Sequence, residues 1–325
     1  MPSGRLCRWP IAAVVVAAVG VATVATAAPA TIVGGATASK PAKRLRPPGP
    51  RLGGCPVFPA SNAWNQEIAS APLHPLSAQI IDHIQAIGSD FVHPDVGSTF
   101  GIPFVVVPAD QPLVPIRYDA YGDESDPGPF PVPPNAPVED GSDGHVLVVQ
   151  EQTCQLYELF VGRRDGAGWV AASGAKFDLL TGALRPIGWT SADAAGLPIL
   201  PGLVRYDEVA AGLIDHAIRV TFSQTQRGFV LPAIHFASSN SDATLPAMGM
   251  RLRLSANFDV SGLTGQAKVI ATAMQRYGLI VADNGSNWFF QGAPDPGWND
   301  DDLNQLKAIP GTAFEVVDTG PVRTG

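Results

Sequence analysis

The strongest constraint on this chain is the shortness of its apolar runs. Eleven segments of four to seven residues, Phe104–Val107, Val114–Tyr118, His145–Gln150, Leu156–Val161, Trp169–Ala172, His216–Phe222, Gly228–Leu231, Met250–Leu254, Leu279–Ala282, Asn287–Phe290 and Ala313–Val317, are separated by stretches rich in Pro, Gly, Asn and Asp. Runs of that length suit strands, not helices that bury a face. Their spacing predicts a mainly β architecture, a two-sheet sandwich or jelly roll, over alternating βαβ units. Two segments read as half-buried antiparallel strands: Arg251 and Arg253 alternate with Leu252 and Leu254, and His216, Ile218 and Val220 with Ala217, Arg219 and Thr221.

Three accessory helices are predicted: one capped by Ser77 and running to Ile87, one from Thr264 to Tyr277, and a short one capped by Asn299, with Asp300, Asp301 and Asp302 at its positive end. The Asp run lacks EF-hand spacing, so capping is favoured over calcium. Asp283-Asn284-Gly285-Ser286 predicts a tight hairpin, since Asn-Gly supplies positive φ angles. The proline-rich stretch from Asp126 to Pro137 predicts an extended surface loop.

Arg5 and Arg8 precede an apolar run from Ile11 to Ala25 and a small-residue Ala-Thr-Ala, the pattern of a secretory signal peptide over residues 1–27. No later run approaches the roughly 20 residues of a spanning helix, so no stable membrane insertion is expected after cleavage. Residues 28–54 read as a flexible basic Pro/Ala/Gly linker, 55–320 as one β-rich domain and 321–325 as a tail. The expected localisation is secreted or periplasmic. There Cys55 and Cys154 would form one disulfide. Seven of 21 basic residues precede Glu67, the first acidic one, which leaves 14 against 29 acidic residues in the body. Such an acidic body is a poor partner for nucleic acid.

Absent signatures narrow the chemistry. There is no Gly-x-Ser-x-Gly elbow, phosphate loop, His-Glu-x-x-His or Cys-x-x-Cys. No cofactor or metal is expected. What remains is carboxylate, histidine, arginine and aromatic chemistry, densest in Gly188 to Pro198 and the following Arg205-Tyr206-Asp207-Glu208. His145, His216 and His235 stand in candidate strands, with capacity for general-base work if they converge. Trp189, Trp288 and Trp298 lie beside turns, where an indole can stack on sugar rings.

Across Trp189–Glu208, His216–Arg219 and Ala282–Trp288 the chain resembles a group of secreted bacterial proteins. The resemblance implies export but no activity, cofactor or catalytic residue. The residues themselves point to a carbohydrate-active protein, in the first place a glycoside hydrolase cleaving an extracellular or envelope polysaccharide with two carboxylates. Asp193 and Glu208 are the expected pair, with Asp207 in reserve, His145 and His216 nearby, and Trp189, Arg205, Tyr206 and Trp288 binding substrate. Two alternatives stand: a polysaccharide lyase with His145, His216 or Tyr206 as base and Arg205, Arg219 or Arg251 neutralising a uronate, and a non-catalytic glycan-binding or envelope protein.

Overall fold

Val146–Gln150 shows how the chain is layered. All five residues are buried, and their contacts alternate: Val146 and Val148 join one apolar cluster with Val107, Phe130, Tyr157, Leu159 and Trp169, while Leu147 and Val149 join a second, larger one. A strand sends successive side chains to opposite faces, so this one lies in a sheet covered on both sides. The structure, a computed structural model, describes residues 49–88 and 90–324. The expected signal peptide, most of the expected linker and Gly325 lie outside the described residues.

The strands in chain order are β1 (Arg51–Leu52), β2 (Cys55–Pro56), β3 (His93–Asp95), β4 (Phe104–Val107), β5 (Ile116–Tyr118), β6 (Val146–Gln150), β7 (Gln155–Phe160) and β8 (Arg163–Asp165). They continue as β9 (Gly168–Ala171), β10 (Ser173–Asp178), β11 (Ile218–Phe222), β12 (Arg251–Leu254), β13 (Leu279–Asn284), β14 (Phe289–Gln291) and β15 (Phe314–Val317). The helices are α1 (Ser77–Ala86), α2 (Tyr206–Ala210), α3 (Gly265–Arg276) and α4 (Asp300–Asn304). The fold is thus mainly β with a few helices. A four-stranded sheet, β10-β7-β6-β4, shares the larger core with a six-stranded sheet, β15-β12-β13-β11-β14-β3, and its other face shares the smaller core with the sheet β5-β9-β8. Cys55 and Cys154 are bridged across 99 residues.

Several local expectations change in the folded chain. The six-stranded sheet is mixed: β11 runs parallel to β13, and Ile218–Phe222 is buried along its whole length, so this strand is central and not half-buried. Arg251 is buried too, its guanidinium donating to Tyr277 O and Gln66 O. Asp283–Ser286 is not a hairpin, because β13 and β14 flank β11 on opposite sides. The connection crosses the end of β11, where Gly285 N donates to Phe222 O and Thr221 Oγ1 to Ser286 O. Neither Asn284 nor Gly285 has a positive φ, so the property on which the hairpin expectation rested is unused. Gly228–Leu231 forms no strand, only isolated bridges at Phe229. Ser77 opens α1 without capping it, and its hydroxyl accepts from Val316 N in β15. Asn299 does cap α4, accepting from the N–H groups of Asp301 and Asp302. Asp302 in turn accepts from Gln266 N at the start of α3, so the acidic run serves two helix ends.

Two boundaries move as well. Paired backbone begins at Arg51, within the expected linker, and Arg323, in the expected tail, exchanges both backbone hydrogen bonds with Phe229. The proline-rich stretch is no free loop: Phe130 and Val132 are buried in the smaller core, and Phe130 bridges Val114.

Candidate functional site

One end of the six-stranded sheet concentrates polar side chains on a single face. Arg219 and Thr221 come from β11, Phe289 and Gln291 from β14, Asp95 from β3 and Asp283 from β13, and all of them line one hollow of about 320 Å³. Within each strand the residues are two apart, as sharing a face requires. Asp283 reaches this face through an irregularity. Val220 pairs with Val281 but Thr221 pairs with Asp283, so Ala282 is an extra residue. Regular pairing would set Asp283 opposite Phe222 and turn its carboxylate to the other side. Bulges re-aim side chains in this way, often beside active sites. The freed carbonyl of Ala282 accepts from Ala195 N, which docks the loop bearing Asp193 onto the strand.

That loop is held from within. Ser191 Oγ donates to Leu197 O and accepts from Asp193 N, while Gly196, at φ 70°, places its N–H on Asp193 O. A Cβ at Gly196 would lie 2.6 Å from Trp189 O, so glycine is required there. The next turn begins on a buried acid: Glu158 of β7 accepts from Ile199 N at 2.9 Å and Leu200 N at 2.9 Å. Burial pushes the Glu158 carboxyl up to about 7, opposed by these N–H groups.

Asp193 is sealed, its side chain wholly inaccessible. Its carboxylate meets the Arg219 guanidinium through Nη2–Oδ1 at 2.8 Å and Nε–Oδ2 at 3.3 Å. Arg219 also donates to Gln291. Burial pushes the Asp193 carboxyl well above the usual range, against the pull of Arg219, and neighbouring Asp283 pushes the same way. Asp193 therefore retains a proton more readily than a solvent-exposed carboxylate would. Asp283 is the half-buried member. It accepts from Ala194 N and Asn284 N, and it lines both the hollow already described and an adjoining one of about 260 Å³ bordered by Tyr121, Glu124, Phe160, Asp193 and His235. In the first hollow, burial raises the Asp95 carboxyl and nearby Glu139 adds to this, with Gln291 and Arg219 opposing. Phe289 forms an aromatic wall, stacked on His93 at 4.6 Å.

The sequence-predicted residues divide between this trough and other places. Asp193 and His145 belong to it; Glu208 and His216 do not. Glu208 bonds to buried Arg205 and to His216 Nε2, shares no partner with Asp193 and lines neither hollow. The expected pair Asp193 and Glu208 is therefore split between two ion-pair networks. His145 and His216 are also committed: His145 Nδ1 meets Glu139 and Nε2 meets Ala192 O at 3.0 Å, while His216 Nδ1 meets Ala217 O at 2.7 Å and Nε2 meets Glu208. Both nitrogens of each ring face acceptors, so neither ring has a free lone pair for a substrate proton. Asp207 is exposed beside Arg205, and Tyr206 packs edge-on against buried Trp298. Trp288 is core, edge-on to Phe222 with its N–H on Gln85. Trp189 carries the Arg185 guanidinium over its ring and lines neither hollow. The three histidines do not converge, and no group of His, Cys, Asp or Glu among the described residues could hold a metal ion.

The residues that the sequence reading missed are Asp283, Asp95, Glu139, Glu124, Gln291 and Glu158. Asp283 was hidden by its turn-like neighbours; the others sit singly, with no motif. Compared with protein-family models, curated proteins and solved structures, the chain matches none.

Proposed function

We propose that the protein is an exported glycoside hydrolase that takes a polysaccharide along the two adjoining hollows and cleaves it over Asp283. One observation carries the reading: a β-bulge aims a half-buried carboxylate into the junction of two hollows, backed by a sealed Asp193–Arg219 pair, while a second carboxyl in the first hollow, Asp95, is raised by burial. A pair of carboxyls, one of them inclined by burial to keep its proton, is what glycoside hydrolysis needs. Asp95 protonates the departing oxygen, and Asp283 faces the anomeric centre. Asp193 touches no substrate; it positions Asp283 and Arg219. The Cys55–Cys154 disulfide suits an oxidising compartment, and no helix among the described residues is long and apolar enough to cross a membrane. The lyase alternative is disfavoured because the guanidinium lining the trough, Arg219, is already paired with Asp193 among other acids.

The test is release of reducing ends from a panel of neutral, acidic and amino-sugar polysaccharides. Asp283→Asn and Asp95→Asn should each lower the rate by on the order of 10²–10⁴ with unchanged melting temperature. Wild-type rates in both variants overturn the assignment. Binding of polymer without new reducing ends by the wild type favours a non-catalytic glycan-binding protein instead.

A further inference from the structure

His235 is the histidine that the trough leaves free. It lies in an extended segment held to the Asp193 loop, its backbone N–H donating to Ala195 O at 3.1 Å. Its Nδ1 lies 2.7 Å from Ala194 O. A carbonyl only accepts, so Nδ1 carries the hydrogen, and the lone pair of the neutral ring sits on Nε2. Among the described residues Nε2 makes no hydrogen bond. The ring is half-buried and lines the second hollow with Asp283 and Glu124. Ala194 ties the two groups together: its carbonyl orients the imidazole while its N–H holds Asp283 Oδ2 at 3.3 Å. One residue thus contacts both a base and a carboxylate, and both groups line the second hollow. His145 and His216 offer nothing comparable, since acceptors occupy both their nitrogens.

We propose that His235 is a third catalytic group, the base that takes a proton from the attacking water, an assignment that rests on the hydrolase reading above. Water enters from the second hollow with its hydrogen on Nε2. Its oxygen bonds to the anomeric carbon as the glycosidic C–O bond breaks; the electron pair of that bond leaves on the departing oxygen, which takes the proton of Asp95. The water proton ends on Nε2, where the adjacent Asp283 carboxylate stabilises both the imidazolium and the positive charge developing on the sugar. Exchange with solvent returns one proton to Asp95 and removes one from His235. Direct displacement of this kind inverts the anomeric configuration.

The experiment has three arms. First, diethyl pyrocarbonate is applied to the folded protein and the sites of modification are read by peptide mass spectrometry. His235 should be carbethoxylated while His145 and His216 stay unmodified; an unreactive His235 overturns the free Nε2 whatever the activity. Second, His235→Ala and His235→Asn are assayed on a polymer that the wild type cleaves. Both should lose on the order of 10²–10⁴ in rate, and added imidazole should restore part of it to His235→Ala. Full activity in either variant overturns the assignment, as does a loss in His235→Ala that imidazole does not restore, which would mark the ring as a clamp on Ala194. Third, the anomer released by the wild type is read by NMR. Inversion supports the proposal and retention overturns it while leaving the hydrolase standing, whereas a wild type that cleaves no polymer of the panel overturns both.

Discussion

Glu158 offers the sharpest test of the energetics under the Asp193 loop. Its carboxyl is fully buried in β7, and its folded-state value rises from the ordinary 4.5 to about 7, burial outweighing the N–H groups of Ile199 and Leu200. Between those two values the native chain binds a proton that the unfolded chain has released, so stability falls as pH rises from about 4.5 to about 7. Below that window both states are protonated and the contribution is absent; above it both are ionised and the loss is complete. At about 1.36 kcal/mol per pH unit the full loss is about 3 kcal/mol. Glu158→Gln removes the titration and keeps the oxygen that faces both N–H groups. Denaturant unfolding of wild type and variant, with the disulfide intact, measures the difference. The wild-type curve should fall relative to the variant by up to about 3 kcal/mol across the window, so the stability of the variant minus that of the wild type should be larger at pH 8 than at pH 5. The other raised carboxyls, Asp193, Asp95 and Asp215, are present in both proteins and cancel. Parallel stability curves for the two proteins would refute the reasoning.

The remaining predictions concern parts of the chain outside the proposed site. Cys55→Ser with Cys154→Ser opens a crosslink across 99 residues and should cost about 5 kcal/mol in the loop-entropy account, read as a lower denaturant midpoint. Glu208→Ala leaves Arg205 and His216 buried without their shared carboxylate and should cost about 3–5 kcal/mol, while the fraction that folds keeps its specific activity. Gly278→Ala should destabilise strongly, because φ is 72° and a Cβ would lie 2.2 Å from Leu252 O; a melting temperature equal to wild type would contradict that geometry.

The sequence revealed the strands better than their company. Short apolar runs mark β4, β6, β7 and β9, and nearly every predicted segment holds paired backbone. Ser173–Asp178 escaped because Ser, Gly and Lys dilute its alternation, although Ala175 and Phe177 supply its buried face. Parallel pairing of β11 with β13 left no local mark, since it depends on which chain passes beside which. Burial on both faces was equally hidden. Arg219 and Arg251 read as solvent-facing partners of apolar neighbours, yet each lies in the interior with its guanidinium donating to acceptors from distant segments. A polar residue alternating with apolar ones identifies a face, and only the tertiary structure decides whether that face meets water.

The same distinction governs the site. The Asp193 segment was found because hydroxyls, an acid and glycines crowd together without apolar periodicity, and that crowding is real: the loop uses them to fold on itself and to dock on Ala282. Density of polar residues along the chain, however, reports a loop that must satisfy its own backbone, and a carboxylate that does so is sealed against a guanidinium and unavailable to substrate. The group that reaches the hollow comes from a strand, and it does so because one extra residue rotates Asp283 from the Phe222 face to the Thr221 face. No composition or spacing rule marks that rotation, because the residue count of β13 has meaning only against its partner β11. Reactive chemistry on this scaffold is therefore to be sought where pairing register breaks beside a hollow, with the dense polar loop serving as the support that holds the displaced carboxylate in place.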